Sequence, residues 1–252
     1  MIDPKNITVP TGTGGKSLKE QNRWQLWLVI AVNSVFFYGV VQANAIKVEG
    51  IRGAFTDASN LLPIAFALIV ATVLNGVLSA EAKARLVFLR WHNALPGCRA
   101  FSKYAGADPR IDPVALSKIR GSPFPTDPMD QNRAWYRLYK TVDKDPAVVQ
   151  VHRDFLLLRD YTGFSVLFVA FYGAAGLYAI PSTKIGLLYL VFLILQYVVV
   201  RQAASNYGIR FVTTVLAQKA AAPEKAAPKK ATPKKTVPKK AASKVDPAEP
   251  AQ

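Results

Sequence analysis

The chain is poor in the side chains that most enzymes and metal proteins rely on. It has one cysteine, Cys98, and two histidines, His92 and His152. A single thiol excludes an internal disulfide and suits a reducing compartment. The three side chains are separated by 6 and 54 residues, which matches no common zinc spacing, where three or four ligands recur at regular intervals. They remain the candidates for a metal or catalytic role, against the plainer reading of ordinary interfacial residues. No cofactor is implied. The run PTGTGGKS, residues 10–17, resembles a phosphate-binding loop at Gly15, Lys16 and Ser17, but Pro10 stands at the first glycine position. That motif also requires a strand before it and a helix after it, so a flexible linker is the simpler reading.

Acidic residues are scarce as well: 16 Asp and Glu face 32 Lys and Arg, a net charge of +16. Such a balance implies anionic partners, whether lipid headgroups, nucleic acid or an acidic protein.

Charge is missing altogether from four stretches: residues 24–46, 58–80, 161–183 and 185–200. A helix needs roughly 20 apolar residues to cross a ~30 Å hydrocarbon layer. The first three are long enough. The fourth is short, but Lys184 and Arg201 can snorkel, and its helix can run on to about residue 217. The segment LLYLVFLILQYVVV is apolar on every side, unlike a helix on a water-soluble surface. The polar residues ahead of the first stretch argue against a cleavable signal peptide. The expected fold is all-α: a polytopic membrane protein with transmembrane helices at 24–46, 58–80, 161–183 and 185–201. An N-terminal segment (1–23), a helical cytoplasmic domain (81–160), a helical extension (202–222) and a disordered tail (223–252) complete it.

Lys and Arg distribution orients these spans. Residues 1–23 carry four, 81–160 carry 14, and 201–252 carry 11, so these segments hold 29 of the 32. The expectation is a multi-pass protein of the plasma membrane (a bacterial inner membrane), with both termini and residues 81–160 in the cytoplasm.

Within 81–160 the second span is expected to run on through EAKARLVFLRWHNAL and end near Pro96-Gly97. Three Asp-Pro pairs then predict helix starts, because Asp caps a helix N-terminus and Pro is preorganised for its first position. Asp112-Pro113 opens a short helix closed by Gly121. Asp127-Pro128 opens one with Trp135, Leu138, Tyr139 and Val142 on one face. Asp145-Pro146 opens one carrying Val148, Val151, Phe155 and Leu158, which feeds into the third span.

The polar side chains inside the spans include Asn33, Asn75 and Gln196, with Ser34, Thr72 and Ser165. None is ionisable, which argues against ion-coupled transport. The amides suit hydrogen bonding between helices, or the lining of a wet path. Ala170, Gly173, Ala174 and Gly176 permit close backbone approach, either within the bundle or against a second copy of the chain.

From Pro223 the sequence reads PEKAA-PKKAT-PKKTV-PKKAA, with proline at 223, 228, 233 and 238. It resembles the Lys-, Ala- and Pro-rich tails of linker-histone-like proteins in composition, over about 25 residues. Such a sequence forms no core. Lys229, Lys230, Lys234, Lys235, Lys239 and Lys240 are the expected polyanion contacts, to anionic lipid headgroups or to nucleic acid. No aromatic residue is available there for base stacking. Three functions fit: a non-enzymatic membrane scaffold or effector that oligomerises and acts through its basic cytoplasmic face; a pore or channel subunit opened when the cytoplasmic domain is triggered; or an enzyme using His92, Cys98 or His152. The first is preferred.

Overall fold

The computed structural model describes residues 17–49 and 69–221, except 71, 74 and 122. The described residues are predominantly helical, with no strand among them. Three stretches are long and apolar enough to cross a membrane: Leu18–Val41, Pro146–Ala179 and Thr183–Ala221. The chain is therefore a multi-pass membrane protein in its architecture. Most of the second expected span, and all of residues 223–252 with their six paired lysines, lie outside the described residues.

The N-terminal stretch begins with α1 (Leu18–Gln21), whose Ser17 and Glu20 form a reciprocal cap. Ser17 thus ends the phosphate-loop-like run as a helix cap. After Asn22 the chain continues as α2 (Arg23–Val41). It was expected to run unbroken to residue 46, but Gln42 leaves the helical conformation and a separate α3 (Ala43–Glu49) follows.

Residues 69–70, 72–73 and 75–77 are helical. The expected run-on into the polar domain does not form. Leu78 and Ser79 leave the helix, and Ser79 caps a new one, α4 (Ala80–Phe88), accepting from the Ala82 N–H. α4 then stops at Leu89, which takes a left-handed conformation at φ 50°. Its last carbonyls are satisfied from elsewhere: Tyr197 Oη donates to Leu86 O at 3.1 Å, and Arg201 to Val87 O at 3.5 Å.

A 3₁₀ turn (Pro96–Arg99) and a π turn (Ala100–Tyr104) lead to the Asp-Pro helices. Asp112, Asp127 and Asp145 each accept N–H bonds at the starts of α5 (Pro113–Arg120), α6 (Pro128–Val142) and α7 (Pro146–Ala179). Gly121, at φ 90°, closes α5. A further pair, Asp108-Pro109, starts no helix. Asp108 instead grips Arg110, which reaches Thr213 at 3.3 Å. This charge-assisted bond holds the Asp108 carboxyl well below the usual carboxylate range.

α7 has 34 residues and α8 (Thr183–Ala221) has 39. At 1.5 Å per residue they are about 51 and 58 Å long, well beyond a ~30 Å hydrocarbon layer. They pack side by side as a hairpin. Its turn, residues 180–182, comes earlier than charge alone suggests. Pro181 cannot continue α7, so Thr183 and Lys184 belong to α8.

Two aromatic cores form along this hairpin. The first joins α6, the turns after α4, the start of α7 and the end of α8. Phe211 is its hub: Trp135 and Tyr139 meet it edge-on, and His152 stacks on it at 4.4 Å. The second core lies toward the turn, between α2, α7 and α8. There Phe37, Phe168 and Tyr172 stack with ring centres 5.1 and 5.3 Å apart.

Candidate functional site

Between the two cores a charged cluster is closed off from solvent. Lys83 on α4 donates to Asp160 Oδ1 on α7 at 3.0 Å, with only 4% and 3% of the two side chains exposed. Arg159 donates to the same oxygen through Nε at 3.3 Å and a terminal nitrogen at 3.2 Å. The break at Ser79 makes this contact, because it restarts the chain as α4 and brings Lys83 against α7. Taking two ions out of water costs more than their attraction reliably returns, whereas losing either partner alone leaves a buried charge uncompensated. Burial pulls the Lys83 ammonium down from its usual range. Asp160 opposes the shift, while Arg159 and Lys19 add to it.

In front of the pair lies an open cleft of about 180 Å³. Lys19 and Arg23 enter it from the N-terminal helices, and Leu26, Trp27 and Ile30 follow along the same side. Phe164 of α7 forms part of the wall. Three cations, Lys19, Arg23 and Lys83, thus face one carboxylate, Asp160, which is shared with Arg159. Lys19 and Arg23 are exposed and have no ion-pair partner among the described residues.

The residues singled out from sequence fall in several places. Among the described residues no group of three or more His, Cys, Asp or Glu side chains is placed to hold a metal. His92 is exposed. Cys98 is buried, and burial pushes its thiol up. His152 belongs to the Phe211 cluster, with Nδ1 3.2 Å from Tyr139 Oη. Burial, reinforced by Arg159 and Lys140, lowers its pKa to about 4, so the ring is neutral.

Asn33 is buried and returns its amide to Val29 O of its own helix at 2.9 Å. Gln196 does join two helices, donating to Tyr161 Oη at 2.8 Å. Asn75 is buried against Gly163, where a Cβ would lie 2.5 Å from its Oδ1. Asn75 Oδ1 and Gln196 Oε1 have no hydrogen-bond partner among the described residues. The small residues of α7 divide. A Cβ on Gly173 would lie 2.8 Å from Leu190, and one on Gly176 2.9 Å from Tyr189, so both face α8. Ala170 and Ala174 are exposed on the other side.

Sequence reasoning missed the charged cluster: it counts Lys83 and Arg159 only as basic flanks that orient the spans, and Asp160 only as the edge of a charge-free run. It also missed Ser34 and Tyr172 as partners, their hydroxyl oxygens 2.8 Å apart between α2 and α7. The spacing of Lys19, Arg23 and Trp27, each four residues on, carries a signal for the cleft: it places all three on one helix face.

No family model matches the chain, and neither a curated protein nor a solved structure is similar to it.

Proposed function

We propose that the chain is a four-span protein of a bacterial plasma membrane, with its termini and residues 81–160 in the cytoplasm. On this reading it serves as a non-enzymatic scaffold or effector, which oligomerises and carries a folded cytoplasmic platform and a basic tail to partners at the membrane. The observation behind this reading is that α7 and α8 both extend from the apolar section into the Phe211 core. A hairpin whose turn lies at residues 180–182 delivers both extensions to the same side. The 29 basic residues of the inward segments support the cytoplasm as that side.

Cys98 is too buried to report topology, so the test uses new cysteines in a Cys98→Ala background. With an impermeant thiol reagent, Ser182→Cys should label in intact cells and Lys118→Cys only in inverted vesicles. The reverse pattern overturns the orientation. Affinity purification from native membranes should then yield a stoichiometric protein partner or further copies of the chain.

The pore reading draws on the buried amide oxygens of Asn75 and Gln196, which have no hydrogen-bond partner among the described residues. It predicts solute flux through liposomes containing the purified protein. Gln196→Leu should reduce that flux. No flux is expected from a scaffold.

A further inference from the structure

The geometry points to the cleft before the Lys83–Asp160 pair as a seat for the phosphate group of an anionic phospholipid. This site is distinct from the diffuse attraction of the Lys-rich tail. It rests on the chain lying in a bilayer, not on which side residues 81–160 face.

Charge is the first reason. Lys19, Arg23 and Lys83 line the cleft against one carboxylate, an excess of two positive charges. Asp160 is already engaged by Lys83 and Arg159. Lys19 and Arg23 are exposed and unpaired among the described residues, so they can close on an anion without breaking another ion pair.

Polarity order is the second. Along the N-terminal helices Lys19 and Arg23 come first, and Leu26, Trp27 and Ile30 follow, with Phe164 opposite. Cations at one end and a mainly apolar wall, interrupted by Thr72 and Asn75, at the other match an amphiphile. A free phosphate would have no use for the apolar end. Trp24 and Trp27 are both exposed at this level, and exposed tryptophans collect where hydrocarbon meets headgroups.

Size is the third. Sites that enclose a drug-sized molecule measure roughly 300–1,000 Å³. At about 180 Å³ and open on one side, this cleft suits one polar group of a ligand whose chains lie outside, along the apolar faces of the helices.

The test uses the full chain in neutral detergent, titrated with phosphatidylglycerol or phosphatidylcholine and read by native mass spectrometry. One phosphatidylglycerol should stay bound per chain at concentrations where phosphatidylcholine does not. Lys19→Gln with Arg23→Gln should weaken this binding about thirtyfold, from the loss of two interfacial charges. The tail is present in both proteins, so the difference belongs to the cleft. Both positions are exposed, so the lipid-free melting temperature should hold, and Lys19→Arg with Arg23→Lys should keep most of the affinity. Equal binding of phosphatidylcholine, or undiminished phosphatidylglycerol binding by the double Gln variant, overturns the site. Displacement of the lipid by inorganic phosphate at matched concentration overturns the lipid assignment and gives the cleft to a soluble phosphate.

Discussion

The two cores of the α7–α8 hairpin are built from similar aromatic residues and face opposite surroundings. Around Phe211, the outer face of α6 shows Asp130, Arg133 and Arg137 to solvent while Trp135 and Leu138 turn inward. Around Phe168, the outward residues are Leu28, Val32 and Val35 of α2 and Leu187, Leu188 and Leu195 of α8. The first core is held by removal of apolar surface from water. The second has no such drive, because lipid tails are as apolar as its own side chains. It depends on close packing and on hydrogen bonds across helices. Small residues and hydroxyls therefore sit where rings alone do not suffice: Gly173 and Gly176 against α8, and Ser34 with Tyr172.

The junction between the two regions should be the most sensitive point. Asp160→Asn leaves Lys83 buried beside Arg159 without a counter-charge, and should cost about 3–5 kcal/mol in chemical unfolding. Lys83→Met with Asp160→Leu should recover most of that loss. If the single variant is silent, the pair does not tie the two regions together.

The cores themselves should respond unequally to the same deletion. Phe211→Ala should cost about 3–5 kcal/mol. Phe168→Ala should cost clearly less in bilayers, because only the cavity remains when lipid replaces water outside. Equal losses would mean that both cores are held by the same force.

Only the first core should answer to mild acid. His152 takes a proton near pH 6.5 when unfolded but near 4 when folded. The unfolded chain therefore binds more protons between those values. Stability should fall as pH drops from 6.5 through about 4, by up to about 3 kcal/mol. His152→Phe keeps a ring over Phe211 and should flatten that slope in unfolding curves taken across the window.

Gln196→Leu tests the hydrogen bonds between α7 and α8, beside the second core, most gently. Losing its bond to Tyr161 should lower stability in detergent by about 1 kcal/mol. A much larger loss would show that hydrogen bonds dominate there.

What could be read from the sequence was what is local. The caps at Asp112, Asp127 and Asp145 need only residues two or three positions away, and so does the left-handed stop at Gly121. Apolar length alone marked α2, α7 and α8. The misread boundaries also had local signals that charge counting passed over. Pro181 sets the end of α7, and Ser79, with Glu81 in the following turn, starts α4. The Lys83–Asp160 pair could not be read this way. Its members are 77 residues apart, and no periodicity links a lysine in one helix to an aspartate in another. Leu89 offers no warning either, since a non-glycine residue at φ 50° is held there by its surroundings.

α7 is one unbroken helix through the charged cluster, so its two halves are coupled as the arms of a lever. From Asp160 to Pro146 the arm is about 21 Å long. If the helix pivots at Asp160, a tilt of about 10° in the apolar section moves Pro146 by roughly 4 Å, and the Phe211 core is attached to that end. Helices change tilt when a bilayer thins or thickens, so with that pivot a change in bilayer thickness would displace the domain at the far end of the helix.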